Sequence, residues 1–233
     1  MRLAQPTARV VDLGTTDGIA DVRQKCLDWA RSKGFRRILM LDDGCYFYRR
    51  DGFKAGKPQY RGMETTQDWK DLFAKLTSLL MYHPQVGISA KQGNQLVRAD
   101  FKVAGRCFTA YGLDVELLHQ LSVRFDGMYR ADRRIKLYED YYLTLSLLTK
   151  GVPNAVLHTF CINAQHGRSG GNFAVRNNDT QKLCAERLAK TFPGYVKVHQ
   201  KPTKAFKLAG SDTHRWDVTI QWKRAFSDSI ILA

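Results

Sequence analysis

The sequence is short of acid, sparing with proline and free of long apolar runs. Only 22 aspartates and glutamates stand against 37 lysines and arginines, a net charge of +15, which excludes an acidic or charge-balanced surface. No window reaches the roughly 18 consecutive apolar residues of a membrane-spanning helix, and the opening MRLAQPTARV has no apolar secretory core. No membrane partner is expected, and the expected compartment is the cytoplasm. The five cysteines (Cys26, Cys45, Cys107, Cys161, Cys184) are scattered, odd in number and never spaced C-x-x-C, against a disulfide framework or a structural zinc site. With six prolines and no repeat, low-complexity tract or Pro/Ser-rich linker, residues 1–233 read as a single domain.

At 44% hydrophobic residues the chain has the apolar material for one buried core, so global disorder is excluded as well. The basic surplus is not a tail. Residues 1–120 carry 19 basic and 13 acidic side chains, and residues 121–233 carry 18 and 9. Positive charge spread over a folded body favours a polyanionic partner, because each neutralised phosphate releases counterions.

Ile19, Val22, Cys26, Leu27 and Ala30 fall at helical spacing, with Gly34 placed to stop the helix. Phe35 to Leu41 reads as a strand that breaks at Asp42, Asp43 and Gly44. Residues 45–64, rich in glycine, tyrosine and basic side chains, read as a loop able to contact an acceptor. Thr65 is the expected N-cap of an amphipathic helix carrying Trp69, Leu72, Phe73, Leu76, Leu79 and Leu80, stopped by His83-Pro84. Strands are expected at 86–90, 96–103 and 106–111, then a short helix capped by Asp114.

A basic loop follows, and a helix runs from Glu139-Asp140 to Lys150, ended by Gly151 and Pro153. After a strand at 155–162 come the glycine-rich GRSGGN and a helix over 179–191. Trp216, Val218, Ile220 and Trp222 alternate with Arg215, Asp217, Thr219 and Gln221, the pattern of a half-buried strand. Helices alternating with strands indicate an α/β sandwich with a mainly parallel central sheet.

Two acidic pairs carry the chemistry. Asp42 and Asp43 sit where an open α/β sheet places its ligand crevice, and hard oxygens there suit Mg²⁺ or Mn²⁺ beside a diphosphate. They also suit a plain turn. Glu139 and Asp140 open a helix, where carboxylates serve as caps or, within reach of a hydroxyl, accept its proton.

The segments GIADVRQ, LDDG, CFTAYGLDVELL, Phe125-Asp126 and YEDYYLTLSLLTKG, followed by Gly170-Gly171 and Arg176, resemble the core of a GT-A fold glycosyltransferase. Basic phage chains of this arrangement resemble more narrowly the TET-associated glycosyltransferases. The likeness covers about residues 10–195, leaving about 196–233 as a C-terminal strand extension. It implies a GT-A-like (Rossmann-like) α/β/α sandwich, here without the usual first N-terminal strand. It also implies an enzyme of the host-cell cytoplasm that transfers sugar from a nucleoside-diphosphate donor, a UDP-sugar first, to 5-hydroxymethylcytosine in DNA.

The resemblance assigns roles residue by residue. Asp42 and Asp43 match the metal and nucleotide motif, with Gly44 where many members carry a further aspartate. Asp140 matches the base of the ED motif, Glu139 orients the acceptor or shares that role, and Arg23 matches the basic residue of a G-x-x-x-x-R helix near the nucleotide. His166 completes the metal set, and Gly170, Gly171 and Arg176 line the donor. On the acceptor side, aromatic contacts are expected from Tyr46, Tyr48 and Tyr60, and phosphate contacts from Arg49, Arg50 and Lys54. Two other readings stay open: a GT-A enzyme with a non-DNA acceptor, and a catalytically silent nucleic-acid-binding module.

Overall fold

The computed structural model describes residues 10–95, 97–164, 177–202 and 214–231. In chain order the elements are α1 (Ile19–Ser32), β1 (Arg37–Leu41), β2 (Cys45–Lys54), β3 (Lys57–Gly62), α2 (Thr66–Leu79), β4 (Gln85–Ala90), α3 (Lys91–Asn94), β5 (Phe101–Val103) and β6 (Ala110–Asp114). They continue with α4 (Val115–Gln120), α5 (Gly127–Ala131), α6 (Glu139–Leu148), β7 (Ala155–Ala164), α7 (Asn178–Thr191), β8 (Val196–Pro202), β9 (His214–Ile220) and α8 (Trp222–Ile231).

The fold is α/β, and its sheet is mixed. The main sheet runs β1-β6-β4-β7-β2-β3, with β5 on β7, and β8-β9 form a separate ribbon. Within the main sheet only β4 and β7 pair in parallel. The expected mainly parallel sheet is thus corrected: β1, β2 and β3 follow one another without a crossover helix, so the alternation of helices and strands does not carry strand direction. Among the described residues no strand precedes β1, which pairs on one side only, with β6.

The sheet also curls. β1 and β2 stand four places apart in sheet order, yet only Asp42, Asp43 and Gly44 join them. Such a link spans at most about 14 Å, whereas four flat strand spacings come to about 19 Å. The end of β1 therefore lies near the start of β2, and Cys45 Sγ donates to the Asp42 carbonyl at 3.1 Å.

Packing is layered. On one face α2 sets Leu72, Leu76 and Leu80 against Val86, Ile88, Phe160 and Ile162. On the other, Leu27 and Ala30 of α1, Leu118 of α4 and Leu143 and Leu147 of α6 cover Tyr111, Leu113 and Val156. The far side of α6 buries Leu145 and Leu148 against Cys184 and Leu188 of α7 and Ala225 of α8. The helix starts follow their caps: Thr65 and Asp68 form a capping box for α2, and the Asp114 side chain accepts from Leu117 N to open α4.

Residues 45–64 are a hairpin, not the expected loop. The Ala55-Gly56 turn has φ of +49° and +76°, the two left-handed positions of a tight hairpin. Phe47 and Arg49 point to α2, packing on Trp69 and pairing with Asp68 and Asp71, while Tyr48 and Arg50 take the opposite face. Glycine content suggested a loop; alternation of aromatic and basic residues made a strand. Trp222 likewise leaves the expected final strand and starts α8, β8 is an element the sequence pattern did not disclose, β5 is shorter than the expected 96–103, and β6 lies further along the chain than the expected 106–111.

Gly87 in the middle of β4 permits a close crossing by the chain at Cys107. A Cβ at Gly87 would lie 2.6 Å from Cys107 Sγ and 3.2 Å from its Cα, too near for the backbone to yield cheaply. Gly87→Ala is expected to cost about 1–3 kcal/mol of stability, measured by denaturant unfolding. The double variant with Cys107→Ala should recover part of that loss, and a neutral Gly87→Ala would overturn the close-crossing account.

Candidate functional site

Helix α1 buries a face made of Ala20, Arg23, Gln24, Leu27 and Ala30, so a guanidinium enters the core with the apolar residues. Burying that charge is costly unless it is paired. It is paired twice: Arg23 Nη1 donates to Glu139 Oε1 and Nη2 to Asp42 Oδ1, both at 2.6 Å. The guanidinium also lies 5.5 Å from the ring centre of Tyr111. Three segments far apart in sequence are thereby held at one point: the first turns of α1, the end of β1 and the start of α6.

Backbone geometry aims the two acidic pairs. The Asp42 amide donates to the carbonyl of Thr109, a residue held at φ +63°, and Tyr138, just before Glu139, sits at φ +68°. Left-handed backbone is unfavourable for both residue types, and such strain collects at functional sites. Glu139 turns inward, 8% exposed. Asp140 is half-buried, and its Oδ1 accepts from Tyr141 N at 2.9 Å.

Burial raises the Glu139 carboxyl to about 7, with the neighbouring Asp140 charge adding to the rise and Arg23 opposing it. Burial also raises Asp140, against Arg23 and Arg106. Tyr111 is fully buried, its hydroxyl has no hydrogen-bond partner among the described residues, and burial lifts its pKa well above the ordinary phenol value. A buried unsatisfied hydroxyl beside buried carboxylates is a polar hole in the core, the kind of place a functional site occupies.

The structure brings together Arg23, Asp42, Glu139 and Asp140 from the expected set, and it revises their roles. Arg23 is consumed by carboxylates rather than presented to a nucleotide, and Glu139 is pinned by Arg23, which leaves Asp140 the freer acid of the pair. Asp42 and Asp43 are exposed on the turn after β1. Asp42 keeps one oxygen beyond its bond to Arg23. Among the described residues no group of three or more His, Cys, Asp or Glu is disposed to hold a metal ion. The two turn carboxylates fit a cation that draws its other ligands from phosphate and water. His166, Gly170, Gly171 and Arg176 lie outside the described residues.

The expected acceptor contacts divide. Arg49 is spent on Asp71 at 2.6 Å and Asp68 at 3.2 Å, in a clamp that Arg61 completes on the same Asp68. Arg50, its side chain 4% exposed, donates to the carbonyls of Val97, Arg98 and Ala99. Both are spent on structure, Arg49 on the buried Asp68 and on Asp71, and Arg50 on the carbonyl of buried Val97 and its two exposed neighbours. Lys54 is at the hairpin tip, nine residues along β2 from Cys45, or about 30 Å of extended chain.

Tyr46, 52% exposed, and Tyr48 remain next to the turn, and the Tyr60 hydroxyl donates to Asn94 Oδ1 at 3.0 Å. Two cations emerge that the sequence did not single out. Lys91 Nζ lies 3.8 Å from the Tyr48 ring centre and 5.4 Å from that of Tyr60, and Arg106 lies over Phe108 and Tyr141. Buried Arg23 and Gln24 on an apolar helix face were the available sequence signal for the cluster; Lys91, Arg106 and Tyr111 gave none. Comparison with family models, with curated proteins and with solved structures finds no match.

The raised Glu139 pKa means that its ionisation opposes folding: the stability present below the ordinary carboxylate range is lost as pH rises through about 7. The melting temperature of the wild type relative to Glu139→Gln should therefore be more favourable at about pH 5 than at about pH 8. An equal difference at both values would show that Glu139 is not perturbed.

Proposed function

We propose that the chain is a glycosyltransferase that moves a sugar from a nucleoside-diphosphate donor to 5-hydroxymethylcytosine in DNA. One observation carries the reading: Asp42 and Glu139-Asp140, remote in sequence, converge on Arg23 at the end of β1. The resemblance of the LDDG and YEDYY segments to GT-A glycosyltransferases supports the reaction type, with the GT-A arrangement as the finer description of the α/β fold. The +15 charge supports the polyanionic acceptor.

In this reading Asp140 accepts the proton of the acceptor hydroxymethyl group. The oxygen forms its bond to the anomeric carbon in line as the bond from that carbon to the diphosphate oxygen breaks, and the electron pair leaves with the diphosphate. Burial, with the Asp42 charge adding, raises the basicity of Asp140, as a general base requires. Asp42 and Asp43 would hold a divalent cation, which supplies neutralisation of charge on the departing diphosphate. Tyr46, exposed beside this turn, offers a face on which a base drawn out of the duplex stacks.

A second reading, a catalytically silent nucleic-acid-binding module, is favoured by one observation: Arg23 occupies an Asp42 oxygen that a metal would use. Transfer of labelled sugar from a panel of nucleoside-diphosphate donors to hydroxymethylcytosine DNA separates the two. Asp140→Asn should lower transfer by about 10²–10⁴-fold, and Asp43→Asn should raise the Mn²⁺ concentration needed for half-maximal rate. Undiminished transfer by both variants would sink the assignment, and DNA binding without transfer by the wild type would favour the silent module.

A further inference from the structure

The molecule spends most of its well-placed cations internally. Arg23 is neutralised by Asp42 and Glu139, Arg49 by Asp68 and Asp71, and Arg61 by Asp51 and Asp68, while Arg50 is absorbed by backbone carbonyls. Arg106 is different. It is exposed, and no carboxylate pairs with it among the described residues. Its guanidinium is held instead on two rings, 4.1 Å from the centre of Phe108 and 4.8 Å from that of Tyr141.

An aromatic face fixes a cation without cancelling its charge. The Tyr141 ring is itself fixed, by Tyr138 at 5.4 Å and by the edge contact with Trp222 at 5.6 Å. The Tyr141 backbone amide meanwhile donates to Asp140. A guanidinium placed on two rings, with no hydrogen-bond partner for its N–H fork among the described residues, thus borders the half-buried Asp140. Its chemistry suits a planar, two-point grip on phosphate oxygens. It is also the cation positioned to offset the repulsion that Asp140 and Glu139 exert on an arriving phosphate.

We infer that Arg106 is a phosphate-binding residue beside Asp140, gripping either the diphosphate of a nucleotide or a phosphodiester of DNA. The site rests on the reading of Asp140 as the base given above, and binding, not transfer, is what tests it. Arg106→Met and Arg106→Lys proteins, checked for an unchanged melting temperature, are titrated with UDP, inorganic pyrophosphate and a hydroxymethylcytosine oligonucleotide by calorimetry and fluorescence anisotropy. Asp140→Asn serves as the control that removes the proposed base and keeps the guanidinium.

Arg106→Met should weaken the phosphate ligand about tenfold, which is about 1.4 kcal/mol, with Arg106→Lys in between and Asp140→Asn binding at least as tightly as wild type. Loss confined to UDP and pyrophosphate assigns the site to the nucleotide. Loss confined to the oligonucleotide, with the log–log salt slope falling by about one, assigns it to DNA. Arg106→Met binding all three as the wild type does, or a wild type that binds none, would overturn the inference. Because no sugar transfer is measured, loss of phosphate binding in Arg106→Met would stand even if the transferase reading fails.

Discussion

The cluster at the end of β1 depends on one buried charge being matched. Arg23 enters the core from α1 with its side chain 9% exposed and its two terminal nitrogens committed to carboxylates from β1 and α6. Removing one partner of such a pair costs about 3–5 kcal/mol, so helix, strand end and helix start are energetically tied. The tie is also electrostatic. Burial raises the proton affinity of Glu139 and Asp140 with Arg23 opposing it, the Asp140 charge adding to the rise at Glu139 and the Asp42 charge to that at Asp140. Structural pairing and chemical poise are two aspects of the same burial.

The hairpin on the other side of the sheet uses its charges differently. Asp68 caps α2 and receives Arg61 and Arg49, and these contacts, Arg61 first, hold its carboxyl well below the usual range. Here two arginines are shared among Asp51, Asp68 and Asp71, and the outcome is fixation of β2 and β3 on α2. An anion-binding role for Arg49 would require surrendering those bonds. The contrast explains why net positive charge alone does not locate a polyanion site: what matters is which cations remain after internal pairing.

Legibility followed the range of the physics. Local signals were readable: Thr65 and Asp114 as caps, the helical face of Leu72 and Leu76, and the strand ending at Asp42 are set by neighbours within a few residues. The convergence of the two acidic pairs is set by Arg23, which lies 116 residues from Glu139, a separation at which spacing carries no signal. Strand direction was not readable, because the periodicity of Gly87 to Ala90 is the same whichever way Tyr111 runs beside it. Nor were Lys91 and Arg106. Their ring partners Tyr48, Tyr60 and Tyr141 lie 31 to 43 residues away along the chain, and Phe108, two residues from Arg106, does not by itself mark a site.

The short link between β1 and β2 has a mechanical side. Because Asp42, Asp43 and Gly44 bridge strands that the sheet order sets far apart, the turn has little slack, and it is anchored at one end by Arg23 and at the other by the Cys45 thiol on the Asp42 carbonyl. Asp42 thus joins α1, through Arg23, to the first residues of β2, where Tyr46 and Tyr48 stand. A turn of three residues sets the distance between the carboxylate cluster and the aromatic hairpin, as a hinge pin sets that between two plates.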